Sequence, residues 1–244
     1  MTPPQSKYGP LHALAAGAVL VFAILSSGFT AFWHQFLHGI DINLTDQTIL
    51  PILGTQTLFF GGLFLILWAT SLFKKKTSGE NGVPLPYWDN GNLARSVRLT
   101  LISALPICLI ALVLNWTCSE ILSRLAGIDL SDQPLVKIIT NNTLSTTGKA
   151  ILYSFLLLEA PLLEEPLFRG VVFGGMTKIM PVWAAMLLSG FLFALIHVNA
   201  ATFIPLWFLG IAFAWLYVRT GTLLAPMAVH FTFNAVNLAL CLFF

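Results

Sequence analysis

The chain has 244 residues, of which 57% are hydrophobic and only 9% charged, with a mean hydropathy of +0.85 and a net charge of +2. A soluble globular domain carries about 25% charged residues, so this composition excludes a water-soluble globule, a disordered chain and a nucleic-acid binder with a basic face. What remains is an all-α, polytopic integral membrane protein.

A bilayer crossing needs roughly 20 apolar residues, and the chain offers about seven such helices, with six to eight as the range. The first runs Leu11 to Trp33, longer than a signal-peptide core and without a small-x-small cleavage site. The second, Ile49 to Phe73, stops at Lys74-Lys75-Lys76, a cluster suited to anionic headgroups. The third runs Leu99 to Cys118. The loop 119–149 is too polar to cross, though Ile121, Leu122 and Leu125 would give a short interfacial helix one apolar face. The fourth, about Ala150 to Met176, carries Glu159, Glu164, Glu165 and Arg169. Residues 179–218 hold no Asp, Glu, Lys or Arg and are too long for one span; Asn199 to Pro205 supplies a break. This gives the fifth (Pro181 to Val198) and sixth (Thr202 to Val218), and the seventh runs from Gly221 to Phe244. No internal repeat is evident. Cys108, Cys118 and Cys241 suggest neither a disulfide framework nor a CxxC metal site.

Loop charge sets orientation. With the N-terminus inside, Lys7, Lys74, Lys75, Lys76, Arg95, Arg98, Lys178 and Arg219 lie on the inner side, against Arg124, Lys137 and Lys149 outside. The expectation is a multi-pass protein of the cell membrane with its N-terminus in the cytoplasm.

Charges inside a bilayer cost on the order of 2.5–3.5 kcal/mol each on the gentlest scale, yet the fourth span concentrates them. Glu165 and Arg169 are spaced i, i+4, within pairing reach, while Glu164 is turned away by about 100°. Pro161 and Pro166 leave carbonyls a turn earlier without helical donors, and such groups at membrane depth line polar cavities. Gly170 and Gly174 form a GxxxG suited to close helix packing. At 1.5 Å rise, Glu164 and His197 each lie roughly 25 Å from the turn joining their spans. His230 and Asn234, on one face of the seventh span, lie roughly 14 to 20 Å from the turn at Thr220-Gly221 on the same side. One acid, two imidazoles and a carboxamide are therefore expected to share a cavity. Three other polar features carry less. His34 and His38 could pair on a metal but read better as interfacial groups near Trp33 and Phe36. For Glu159, a proton route, a support for the site and a cavity-facing group all stay open.

Glu164-Glu165-x-x-x-Arg169, Phe193-x-x-x-His197 and His230-x-x-x-Asn234 follow in order on separate membrane helices. Together they resemble the three motifs of the CPBP intramembrane proteases, the CAAX-processing endopeptidases and bacteriocin-processing enzymes formerly called Abi proteins. The resemblance covers about residues 148–244. It divides the chain into an N-terminal part, 1–147, of three spans and a polar or interfacial loop, and a four-helix catalytic core, 148–244. It implies peptide-bond hydrolysis in the membrane, with Glu164 and His197 activating water and His230 and Asn234 stabilising the oxyanion. Glu165, Arg169 and Phe193 would support the site. The residue types suit those roles, since water needs a base and a developing oxyanion needs donors that bring no competing negative charge.

Glu164, His197 and His230 are also the His₂Glu ligand set of catalytic zinc sites, so a divalent metal such as zinc is the alternative cofactor. No HExxH occurs, and with Glu165 committed to Arg169 a metal-ligating Glu164 would leave no second base, which slightly favours a metal-independent mechanism. The implied partners are the lipid bilayer and a peptide or protein substrate, of CAAX type or of a bacteriocin-like peptide class, with no nucleic acid. Two other classes compete: a catalytically silent scaffold or immunity protein that keeps the motifs, and, less well supported without inverted repeats, a proton-coupled transporter.

Overall fold

A computed structural model of the chain describes residues 93–126, 139 and 144–243, with positions 9, 11, 12, 15, 17, 45 and several between 53 and 65. Nearly all of the first span, most of the second, His34, His38 and Lys74 to Lys76 lie outside the described residues. Every regular element described is helical: α1 (Leu93–Ala126), a run α2 over 146–176, α3 (Val182–Leu195), α4 (Ala200–Thr220) and α5 (Leu224–Phe243). Three of them, at Leu93–Leu125, Ala200–Thr220 and Leu224–Phe243, are long and apolar enough to cross a membrane, and Val182–Leu195 is a shorter apolar helix. The chain is a helical membrane protein.

The third expected span and the separate interfacial helix after it are one element. No glycine or proline interrupts residues 107–126, so α1 continues through Ile121 and Leu125 to Ala126. Its solvent end is closed by an i, i+4 pair, Arg124 Nη2 to Glu120 Oε1 at 2.6 Å. Leu101, Leu105, Leu109, Val113 and Trp116 stand exposed along α1, an arrangement suited to acyl chains rather than water.

Run α2 begins at Thr146, where the Ser145 hydroxyl accepts from the Gly148 N–H at 3.2 Å. It then alternates between α and π winding: Thr146–Ser154 is α, Phe155–Glu159 π, Ala160–Glu165 α, Pro166–Phe173 π, and Gly174–Met176 α. The two wide segments flank the two prolines. A proline cannot donate to the carbonyl behind it and its ring crowds that carbonyl, and a π turn opens the ladder at that place. In the first wide segment the Ala160 N–H reaches back five residues to Phe155 O.

The second wide segment is the centre of the core. Leu167, Phe168, Val171, Val172 and Phe173 are fully buried against Phe193 of α3, Phe213 and Tyr217 of α4, and Val229 of α5. The GxxxG expectation does not hold at Gly170, where an added Cβ would meet nothing within 4 Å. The close approach is instead between α3 and α4: a Cβ on Gly210 would come within 2.6 Å of Gly190 Cα.

Asn199, rather than Pro205, sets the break before α4. Its Oδ1 accepts from the N–H groups of Ala201 and Thr202 at 3.0 and 3.2 Å, and Pro205 lies inside the helix. Just before it, Val198 has φ 47, a left-handed conformation costly for a β-branched residue. At the other end of α4 the same conformation falls on Gly221, φ 73, where it costs little.

The glycine crossing yields a test. Gly210→Ala should lose about 1–3 kcal/mol by overpacking, read as a lowered thermal midpoint in detergent. Gly170→Ala, entering open space and gaining helix propensity, should be neutral or stabilising in the same assay.

Candidate active site

The deepest polar group is Glu165, which has no solvent exposure and uses both carboxylate oxygens. Oε2 faces Arg169 Nε at 3.1 Å, one turn on in α2, and Oε1 faces His230 Nδ1 of α5 at 2.9 Å. The expected Glu165–Arg169 pair is present, and it has a third member. An ionised carboxylate beside a guanidinium only accepts, so His230 Nδ1 donates and its Nε2 is the nitrogen left for chemistry.

Arg169, 1% exposed, is held almost wholly by protein π faces and backbone. Its guanidinium carbon lies 4.7 Å from the ring centre of Phe193, 5.0 Å from Phe213 and 5.9 Å from Phe168. Its Nη2 donates to Gly210 O at 3.4 Å. The same rings fix His230, which stacks on Phe213 at 5.1 Å and meets the edge of Phe193 at 5.9 Å.

Phe193 joins this cluster to His197. Its ring lies 5.0 Å from the His197 ring, and its carbonyl oxygen is 2.8 Å from His197 Nδ1. A carbonyl can only accept, so Nδ1 carries the proton and Nε2 of a neutral His197 presents a lone pair. His197 itself is in the turn after α3, two residues beyond Leu195, and precedes the strained Val198.

Glu164 differs from its neighbour in making no ion pair among the described residues. It is half-buried, and its Oε2 is buried with no hydrogen-bond donor from the protein. Among the described residues no hydrogen bond or ion pair ties Glu164 to His197, His230 or Asn234. Asn234, half-buried on α5, donates from Nδ2 to Leu156 O at 2.8 Å, linking α5 to the first wide segment of α2. Glu159, in that same segment, is hydrogen-bonded to the Thr57 hydroxyl, a protein partner that the sequence did not suggest.

Helices α2, α3 and α5 meet around Glu165, Arg169, Phe193 and His230, with His197 attached through Phe193. Sequence reasoning missed Phe213, Phe168 and the carbonyls of Gly210 and Leu156. The prolines mark freed carbonyls in α2 but not their partners, and an aromatic in an apolar helix looks like any core residue. As for metal, no three His, Cys, Asp or Glu side chains among the described residues are grouped closely enough to hold an ion. Glu164, His197 and His230 do not form a ligand sphere there.

A family model described as type II CAAX prenyl endopeptidase Rce1-like matches residues 146–236, the stretch that holds every residue of this cluster. The match supports, over residues 146–236, the resemblance to the CPBP proteases that the three motifs carry. Over 87 residues the chain is 37% identical to the "Membrane-embedded CAAX protease MroQ" of Staphylococcus aureus (strain USA300), covering 33% of this chain and 35% of that one. Over 74 residues it is 31% identical to the "Putative membrane peptidase YdiL" of Bacillus subtilis (strain 168), covering 30% of each. The chain spans about a third of the length of these curated relatives. No solved structure matches it.

Residues 146–236 therefore enclose a buried charge pair whose loss is measurable. Arg169→Ala leaves Glu165 buried without its cation and should cost about 3–5 kcal/mol, seen as reduced folded yield and a lower thermal midpoint. Arg169→Met combined with Glu165→Gln, which leaves no buried ion alone, should recover much of that loss.

Proposed function

We propose that this protein is an intramembrane endopeptidase in which Glu164 and His197 activate the attacking water. The observation that carries the reading is the contrast between adjacent carboxylates. Glu165 has ion contacts at both oxygens, with Arg169 at 3.1 Å and His230 at 2.9 Å, whereas Glu164 makes no ion pair among the described residues and its Oε2 is buried without a hydrogen bond. A buried acceptor of that kind is unusual in a folded protein, and it suits a group whose partner is the nucleophile.

The reaction follows from the two fixed tautomers. His197, donating from Nδ1 to Phe193 O, turns an unprotonated Nε2 outward, so it and Glu164 can hold a water between two acceptors and take its proton as the oxygen attacks the peptide carbonyl. The oxyanion that forms needs donors. Asn234 has a second N–H on the nitrogen that bonds Leu156 O. His230 donates from Nδ1 to Glu165, so to donate from Nε2 as well its ring must carry both protons. In that form Glu164, Glu165, Arg169 and His230 sum to zero charge, an acceptable state for a site in a low-dielectric medium. The proton taken from water passes to the leaving amine.

The CAAX names attached to the family and to the Staphylococcus aureus relative support a substrate with a prenylated cysteine near its C-terminus; an unprenylated bacteriocin-like peptide is the other class. The proposal also takes seven spans from the apolar run lengths, a cytoplasmic N-terminus from loop charge, and the division at residue 148 from the family resemblance.

Purified full-length protein in detergent tests the chemistry. The probes are two quenched fluorescent peptides, one with a farnesylated cysteine followed by three C-terminal residues and one without the lipid. Glu164→Gln should abolish cleavage with folding nearly intact, and Asn234→Ala should slow turnover by roughly 10²–10³. Activity should survive chelators; loss with recovery on adding zinc would establish the metal version. Cleavage by Glu164→Gln at the wild-type rate sinks the reading. A scaffold would yield no product from either peptide and keep its cellular phenotype in both variants.

A further inference from the structure

The bond from Asn234 to Leu156 O uses a backbone carbonyl that has no donor within its own helix. In an α-helix Leu156 O would accept from the N–H of residue 160, and in a π-helix from that of residue 161. Here the Ala160 N–H is committed to Phe155 O, and residue 161 is Pro161, which has no N–H. Both intrahelical donors are thereby withdrawn. The carbonyl is left to the Asn234 carboxamide, whose Nδ2 meets it at 2.8 Å.

Because a carbonyl only accepts, that contact dictates which end of the amide faces α2. It fixes the carboxamide plane and leaves a single Nδ2–H to serve elsewhere. Had residue 161 carried an N–H, Leu156 O would have an internal partner, and Asn234 would compete for it or turn.

We propose that Pro161 is a positioning residue: by denying Leu156 O a helical donor, it reserves that carbonyl to orient Asn234 as the oxyanion donor. This rests on the oxyanion role given to Asn234 above, and it adds a cause for the first wide segment of α2. The π turn and the proline together make a backbone acceptor at the catalytic level where a regular helix would have none.

The test is a double-mutant cycle in the full-length protein, using the better cleaved of the two quenched peptides. Pro161→Ala restores an N–H and suits a helix, so its thermal midpoint should hold or rise. Its kcat should nevertheless fall by roughly 10- to 100-fold, less than the 10²–10³ for losing the donor outright, with KM changed by less than about twofold. In an Asn234→Ala background the same change should have no further effect on kcat, because the group through which Pro161 acts is gone. Pro161→Ser, which also restores the N–H, should repeat both results and stands in if the alanine variant folds poorly.

Wild-type kcat in both Pro161 variants, with Asn234→Ala still impaired, overturns the proposal while leaving the catalytic reading intact. So do losses that add fully in the double variants. Unimpaired Asn234→Ala, or Glu164→Gln cleaving as fast as wild type, removes the catalytic reading and this proposal with it.

Discussion

The structure turns on one carboxylate. Glu165 is sealed from solvent, and a lone ionised carboxylate there would cost several kcal/mol or more. Its two oxygens reach a guanidinium on the same helix and an imidazole on another. Through that second contact the charge that α2 must neutralise also fixes the rotation of α5, hence where Asn234 falls one turn after His230. Phe193, Phe213 and Phe168 then complete the enclosure by offering ring faces to Arg169 in place of water. A salt bridge of this kind is weak evidence for stability, but it is a strong constraint on register.

That constraint explains a division of labour between adjacent glutamates of identical chemistry. One hundred degrees of helix rotation sends Glu165 into the aromatic cage and leaves Glu164 outside it. Substitutions at the two positions are accordingly expected to differ in kind, one felt in folding and the other in turnover.

Much of this was legible in the residues. The uncharged stretches gave the helices, and the i, i+4 spacing gave the Glu165–Arg169 pair. The prolines pointed to unpaired carbonyls. The sequence was silent on who would claim them. Whether Leu156 O meets an amide, a hydroxyl or nothing depends on the angle at which α5 crosses α2, which no periodicity encodes. The second partner of Glu165 was hidden for the same reason, since His230 is 65 residues away. Two local expectations failed where tertiary contact outweighed pattern. The glycines at 170 and 174 looked like a packing motif, yet the backbone contact formed at 190 and 210. The polar residues after Cys118 looked like a helix end, yet nothing there breaks a helix.

The glycine crossing also limits how the protein can admit a peptide from the lipid. With Gly210 and Gly190 in close backbone approach and Trp207 Nε1 donating to Leu187 O at 2.9 Å, α3 and α4 interlock where they cross. A peptide reaching Glu164 has to part some other pair of helices. The α2–α5 seam is a different kind of contact, joined at the level of the site by two polar bonds, His230 to Glu165 and Asn234 to Leu156 O. Polar bonds can be exchanged with those of an incoming peptide backbone one at a time, as interlocked glycines cannot. Under the proposed function, the seam between α2 and α5 is where a peptide backbone would meet groups able to exchange hydrogen bonds with it.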